Sequence, residues 1–501
     1  MTTRSNFCSQ IVILLIASLA LAPMVDAQDN LNKPEQINGA RPTLKPCKIT
    51  GVEEELLCGN LTVFENRKTR YGRTIDLNVV VLPALDSRSK DDPLFDLAGG
   101  PGLAATDAAS FYANEGKEYR RRRDVVLVDQ RGTGGSNPLH CRHDTNPQYF
   151  LDEMYPVEYV KDCRRELEQK ADLTQYSTPI AMDDLDDVRS WLGYERINLF
   201  GLSYGTRAAL VYMRQHPDRV RSAILMGVTP TYHTIPLYHA RDGERALNLI
   251  LNECANDNDC DKAFPNIRKE LMKLLASLGR QPAQATYTLP ETGKQVTVTI
   301  RREVFAEKLR SASYMPPRAR KLPFIIYRAA QGDFAPFLSL AIPVKRSRPD
   351  DLADGMYLST TCNEDTRRID PITAARMNKG NMLGNYRVDQ QLRACGLWPQ
   401  AQVQRGYWQP VASNIPVLIL SGHMDPVTPP GWIAKVAKHL PSSKHVIIRH
   451  HAHVPEGLSH MECLDKMILE FLEKGSTKAI DTSCVGQMLP PPFFIEDNKP
   501  R

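Results

Sequence analysis

An α/β core interrupted by a mainly helical insertion is the fold class that the sequence predicts. Three observations predict it. Short apolar runs alternate with helix-like stretches up to about residue 228, strand-like runs become sparse from 229 to 410, and regular alternation returns from 411 onward. Two consecutive independent domains would leave the strand at Val417 without a sheet to join. A single core split by an insertion is the simpler account.

The elements follow in order. Residues 1–27 read as an export signal. Arg4 supplies a positive start, Ile11 to Ala22 an apolar stretch, and Val25-Asp26-Ala27 a small-residue cleavage site after Ala27. That apolar stretch is short for a bilayer, and no later one is long enough, so no stable membrane anchor is expected. Residues 28–228 form the first part of the core. Its strands are Leu61–Phe64, Asp76–Leu82, Leu94–Ala98, Val125–Asp129, Ile197–Phe200 and Ala223–Met226, with helices at Asp183–Trp191 and Tyr204–His216. Helical stretches such as Ile267–Leu278 dominate the insertion, 229–410. The second part of the core, 411–501, has strands Val417–Leu420 and His445–Ile448. It also has a helix Gly431–Leu440, a closing amphipathic helix Met461–Leu472 and a Pro-rich tail that reads as surface coil.

Composition narrows the function. A net charge of +5 over 501 residues is too mild to argue for nucleic acid. The basic run Arg120–Arg123 reads as a solvated helix end. Beyond the signal ten cysteines remain, an even number in an exported chain, which suggests disulfides and a secreted or periplasmic location. Pairing of sequence neighbours is expected because each loop then closes locally: Cys47 with Cys58, Cys141 with Cys163, Cys254 with Cys260, Cys362 with Cys395, and Cys463 with Cys484. Metal ligation is the alternative, and no CxxC pair supports it.

The strongest chemical signal is Gly201-Leu202-Ser203-Tyr204-Gly205, set directly between a strand and a helix. A sharp strand-to-helix turn lifts the central hydroxyl into the open, and the following helix begins where an oxyanion would develop. Together with the split core, this turn predicts the α/β-hydrolase fold with Ser203 as nucleophile. In that fold an acid and a base follow, each after a strand. Asp425 comes directly after the strand Val417–Leu420. Beyond the strand His445–Ile448 the chain carries His450, His451, His453 and His460, of which His453 lies where this fold places its base. Four histidines could also suggest zinc, but no HExxH pair occurs and a zinc hydrolase does not require the turn at Ser203. No metal or cofactor is expected. After the strand Leu94–Ala98 comes Gly99-Gly100-Pro101-Gly102, where glycines let the backbone approach a substrate carbonyl. The expected oxyanion donors are the N–H groups of Gly100 and Tyr204.

These residues resemble a known family. Ala98-Gly99-Gly100-Pro101-Gly102, then Val128-Asp129-Gln130-Arg131-Gly132-Thr133-Gly134, then the Ser203 turn, are similar to the proline iminopeptidases and their secreted, tripeptidyl aminopeptidase-like branch. The resemblance runs from about Cys47 to Pro492. It implies a Ser203–His453–Asp425 triad, an insertion that caps the site, and a peptide substrate from which short N-terminal units are released. Glu364, beside Cys362, is the candidate partner for a substrate ammonium. Two other readings use the same residues: an esterase or amidase acting on a small non-peptide substrate, and a non-catalytic binding protein. Candidates for all three triad roles argue against the latter.

Overall fold

The computed structural model describes residues 44–86, 92–343 and 352–495. The export signal expected over 1–27 lies outside the described residues. The backbone of the fold is a nine-stranded sheet in the order β1-β2-β3-β5-β4-β6-β7-β10-β11. Its strands are β1 (Lys45–Cys47), β2 (Leu56–Phe64), β3 (Thr74–Leu82), β4 (Leu94–Leu97), β5 (Val125–Val128), β6 (Ile197–Leu202), β7 (Val220–Met226), β10 (Val417–Gly422) and β11 (Ser443–Ile448). From β5 through β11 all neighbours pair parallel, while β1, β2 and β3 add antiparallel pairs at one edge. This is the α/β-hydrolase fold.

The central strands are apolar on both sides because both faces are covered. Alternation divides the side chains between two cores. From β3, Leu77, Val79 and Val81 pack with the helices Thr178–Trp191 and Tyr204–Gln215. Val80 and Leu82 turn the other way, toward the closing helix Glu462–Lys474. Hydrogen-bonding β10 and β11 to this sheet brings residues 417–448 beside the strand that ends at Met226, next to the Ser203 turn.

Between β7 and β10 the chain leaves the sheet. It forms helices including His239–Ala255, Ile267–Arg280, Arg302–Ala312, Leu322–Ala330, Asp354–Glu364 and Tyr386–Leu397, with an apolar cluster of their own around Leu251, Phe305, Ile326 and Phe337. An antiparallel hairpin, β8 (Ala283–Thr288) with β9 (Gln295–Ile300), interrupts these helices. Its Val-Thr-Val-Thr alternation is an ordinary strand signal that the helical reading passed over.

Three expectations are corrected. The helix expected from Asp183 begins at Thr178, after Ser177 at the cap position and with Pro179 in its first turn. The stretch Gly431–Leu440 is a 3₁₀ turn, Pro430–Trp432, followed by a short helix, Ile433–Ala437. The basic run is a solvated helix end only at Arg121 and Arg122. Arg120 is buried against Glu54 at 2.7 Å, and buried Arg123 pairs with Asp92 at 2.7 Å and Glu473 at 2.8 Å. The run thus ties the start of β5 to the closing helix.

The Pro-rich tail Leu489–Pro492 is surface coil, as expected, and it is pinned at both ends. Ser459 N donates to Leu489 O at 2.8 Å, and Phe493 is buried in the cluster of the inserted helices. All five neighbouring cysteine pairs are closed as disulfides. No helix among the described residues is long and apolar enough to cross a membrane.

Candidate active site

Ser203 stands between β6 and the helix Tyr204–Gln215 with φ 57° and ψ −121°, a conformation that L side chains rarely adopt. The flanking glycines are sterically required. A Cβ on Gly205 would lie 1.9 Å from Leu97 O, and one on Gly201 2.5 Å from Gly205 O. Ser203 N donates to Met226 O at 2.9 Å, which fixes the turn to the end of β7. The residue is half-buried.

Asp425 follows β10 and is wholly buried. Its Oδ1 accepts the N–H groups of Val427 (2.7 Å) and Thr428 (2.8 Å), and its Oδ2 accepts the Thr428 hydroxyl (2.7 Å). The same Oδ2 lies 2.8 Å from His453 Nδ1. Burial alone would raise this carboxyl. The imidazole, its hydrogen bond and the Thr428 donors outweigh burial and hold the carboxyl below the usual aspartate range. His453, 4% exposed, lies past the end of β11. Gly227 joins the two halves of the site: it directly follows Met226, which holds Ser203, and a Cβ on it would meet His453 Cε1 at 3.2 Å.

The other histidines are placed elsewhere. His451 is buried with its Nδ1 against Ala452 O, and burial lowers it to about 4. His450 pairs with Glu253 at 3.3 Å, and His460 is exposed. Among the described residues no cluster of three or more His, Cys, Asp or Glu is placed to hold a metal ion.

The glycine loop lies against Ser203. A Cβ on Gly99 would be 3.4 Å from Ser203 Cβ and 3.3 Å from Leu202 O. Gly100 has φ 108°, and a Cβ there would meet Gly102 N at 2.6 Å, so that position excludes a side chain. Tyr204 opens its helix, where N–H groups have no intrahelical acceptor. The Asp129–Gln130–Arg131 motif braces this region from behind. Asp129 accepts from Asn78 Nδ2 (2.9 Å), Thr106 N (3.0 Å) and Gly135 N (2.9 Å), while buried Arg131 grips both oxygens of Asp184 at 2.6 and 2.8 Å.

Glu364 requires a correction. It is 1% exposed, and both oxygens are occupied. Oε1 accepts Thr178 N at 2.7 Å; Oε2 accepts the Thr178 hydroxyl at 2.8 Å and the Tyr407 hydroxyl. Burial pushes its carboxyl up against the pull of Arg207. A carboxylate so enclosed and satisfied is not free to receive a substrate ammonium. It is tied instead to the residue after Ser203: the Thr178 hydroxyl also lies 2.8 Å from the Tyr204 hydroxyl. Next to it, Asp365 takes Arg207 of the helix Tyr204–Gln215 in a two-pronged pair, both contacts 3.0 Å. Sequence reasoning also passed over Tyr314, which touches His453 from the insertion and carries no motif.

Residues 93–262 match the α/β hydrolase fold family and residues 380–484 the TAP-like protein family. Serine protease Hip1 of Mycobacterium tuberculosis is 29% identical over 252 residues, 47% of this chain and 48% of that one. The tripeptidyl aminopeptidase of Streptomyces lividans is 31% identical over 194 residues, 34% and 35% of the two chains. The proline iminopeptidase of Neisseria gonorrhoeae is 28% identical over 136 residues, 27% and 32%. The match spans about half the length of the Hip1 relative and about a third of the other two.

Proposed function

We propose that this chain, an α/β-hydrolase related to the tripeptidyl aminopeptidases and proline iminopeptidases, is an exported serine hydrolase that releases short N-terminal units from peptides. The observation that carries the reading is the buried Asp425–His453 pair at 2.8 Å, beside a serine held at φ 57° in a strand-to-helix turn. His453, oriented through Nδ1 by Asp425, takes the Ser203 proton as Oγ attacks the scissile carbonyl. The N–H groups of Gly100 and Tyr204 hold the oxyanion of the tetrahedral intermediate. His453 then protonates the leaving amine. Water, activated by the same imidazole, releases the acyl group and restores Ser203. The helices of 229–410 act as the cap that shapes the substrate site. Five disulfides support export, because such bonds persist in oxidising compartments.

The names of the relatives support the peptide substrate. The burial of Glu364 removes the one carboxylate assigned to a substrate ammonium, and that favours the second reading, an esterase or amidase on a small substrate. One panel separates the two: nitroanilides of short peptides with free and acetylated N-termini, alongside short and long esters. The aminopeptidase reading expects cleavage of the free peptides and rejection of the blocked ones. Equal rates on both would end it, and fast ester turnover with inert peptides would move the assignment to esterase.

A further inference from the structure

His453 is gripped from two sides. The core holds it through Asp425 and Thr428. From the other side comes Tyr314, just beyond the inserted helix Arg302–Ala312. The Tyr314 carbonyl accepts both His453 N at 3.0 Å and Val454 N at 2.9 Å. Its ring meets the imidazole edge-on, with centroids 5.0 Å apart and planes at 74°. One residue of the insertion thus fixes both the backbone and the ring of the base.

Tyr314 is itself anchored within the insertion. Arg310 Nη1 donates to its hydroxyl at 3.1 Å, and the guanidinium lies 5.3 Å from its ring centre. Arg310 is held in turn by Glu307, with Nε to Oε2 at 2.9 Å and Nη2 to Oε1 at 2.5 Å. Its stem packs on Gly243 of the helix His239–Ala255, where a Cβ would stand 2.5 Å from Arg310 Cγ. Arg310 and Glu307 are both buried, so a fixed, water-excluded arm runs from the inserted helices to the imidazole.

We propose that Tyr314 is a positioning residue for His453, so that the catalytic base is complete only when the insertion is docked on the core. This inference rests on the triad reading above. The aromatic ring fills the space beside the imidazole and limits its rotation about the Asp425 hydrogen bond. The ring matters more than the phenol, because the phenol faces Arg310 and not the base. Proton transfer requires an imidazole held to within a fraction of an ångström, and loosening it lowers the rate without changing how substrate binds.

The test compares Tyr314→Ala and Tyr314→Phe with Ser203→Ala, using an ester substrate, a fluorophosphonate and thermal unfolding. Tyr314→Ala should lower kcat by about 10- to 100-fold with KM nearly unchanged, and slow fluorophosphonate inactivation in proportion. Tyr314→Phe, which keeps the ring and loses only the bond to Arg310, should restore most of both rates. Wild-type kcat in Tyr314→Ala would overturn the proposal. So would a change confined to KM, or a Phe variant as slow as the Ala variant. If Tyr314→Ala does not fold, the Phe variant decides alone: a loss as large as 10-fold there would overturn it. Activity in Ser203→Ala would instead bring down the triad reading. An inactive Ser203→Ala beside a fully active Tyr314→Ala would sink only the role given to Tyr314.

Discussion

Asp425 Oδ2 and His453 Nδ1 are 2.8 Å apart across 28 residues of sequence, and the Thr428 hydroxyl touches both, at 2.7 and 3.2 Å. In the proposed triad Asp425 keeps the proton on Nδ1, so that Nε2 acts as the base. Asp425→Asn removes that preference, because an amide can donate to Nδ1 and stabilise the wrong tautomer. Turnover should fall by roughly 10⁴-fold, as it should for Ser203→Ala and His453→Ala. His450→Ala, His451→Ala and His460→Ala should retain turnover, since none of these rings reaches Asp425. A dead His451→Ala in a folded protein would move the base two residues back. Steady-state kinetics on whichever substrate class is cleaved decides the set.

Glu364→Gln should act on stability and on the Ser203 turn, not on substrate charge. The amide can accept at one oxygen only. One of the Thr178 and Tyr407 contacts is then lost, and buried Arg207 retains Asp365 as its single carboxylate. A cost of about 1–3 kcal/mol follows from an unsatisfied buried partner. The ratio of rates on free and acetylated peptides should not change. A variant with unaltered Tm and a raised KM for free peptides alone would return Glu364 to the substrate site.

The legible parts of this site were local. The Ser203 turn shows in five residues because a strand, two small residues and a helix start must follow one another to form it. Asp425 and His453 were readable because each follows an apolar strand of the same sheet. What escaped depends on contacts between distant segments. Nothing within ten residues of Glu364 announces that Thr178 and Tyr407 close over it, and nothing near Tyr314 announces His453. The Arg120–Arg123 run looked solvated because its partners Glu54, Asp92 and Glu473 come from three other places in the chain. The hairpin Ala283–Ile300 is a different case. Its alternation was local and visible, and the expectation of a helical insertion overrode it.

Acid should destabilise the protein in a defined window. Burial, reinforced by nearby arginines, lowers His233 to about 3, and the ring is packed on Tyr238 and Trp432 with neither nitrogen hydrogen-bonded. In the unfolded chain such a ring titrates near 6.5, so below that pH the unfolded state binds the extra proton. Its neutral form contributes fully above about pH 6.5, and that contribution is lost as pH falls toward 3. His233→Phe keeps the packing and removes the titration. Between pH 6 and 4 the wild type should lose about 1.4 kcal/mol more per pH unit than the variant. Denaturant melts at several pH values measure this, and parallel slopes would show that His233 is not the group responsible.

The ten cysteines of the described residues should give no free thiol under denaturing conditions, with peptide maps showing the five neighbouring links. Cys362–Cys395 closes the longest loop, 33 residues, and joins the helix that carries Glu364 to the helix Tyr386–Leu397. In the chain-entropy picture its loss should cost about 3–4 kcal/mol, more than the six-residue closure Cys254–Cys260. Paired Cys→Ser variants compared by thermal unfolding test the order. A larger loss for Cys254–Cys260 would mean that native packing, not loop length, sets these contributions.

The C-terminal segment should prove a strap between the base and the insertion. After Cys484, bonded to Cys463, Leu489 exchanges hydrogen bonds with Ser459 N (2.8 Å) and Ser459 Oγ (3.0 Å), in the loop that follows His453. Four residues on, buried Phe493 carries the Arg320 guanidinium 4.1 Å above its ring, and Phe494 N donates to Arg320 O at 3.1 Å. Phe494 also meets Phe324 edge-on at 5.0 Å. Arg320 lies six residues beyond Tyr314, so the strap pins the insertion at the point where it reaches the base. Phe493→Ala combined with Phe494→Ala removes one buried and one half-exposed ring, and should cost about 2–4 kcal/mol. Local opening should precede global unfolding, so limited proteolysis should cut between Tyr314 and Gln331 sooner than in the wild type. Fluorophosphonate inactivation should slow in step, because loosening Arg320 loosens Tyr314 and with it His453. Wild-type protease resistance in the double variant would leave the tail a passive filler of the apolar cluster. Faster proteolysis with unchanged inactivation would separate the strap from the base.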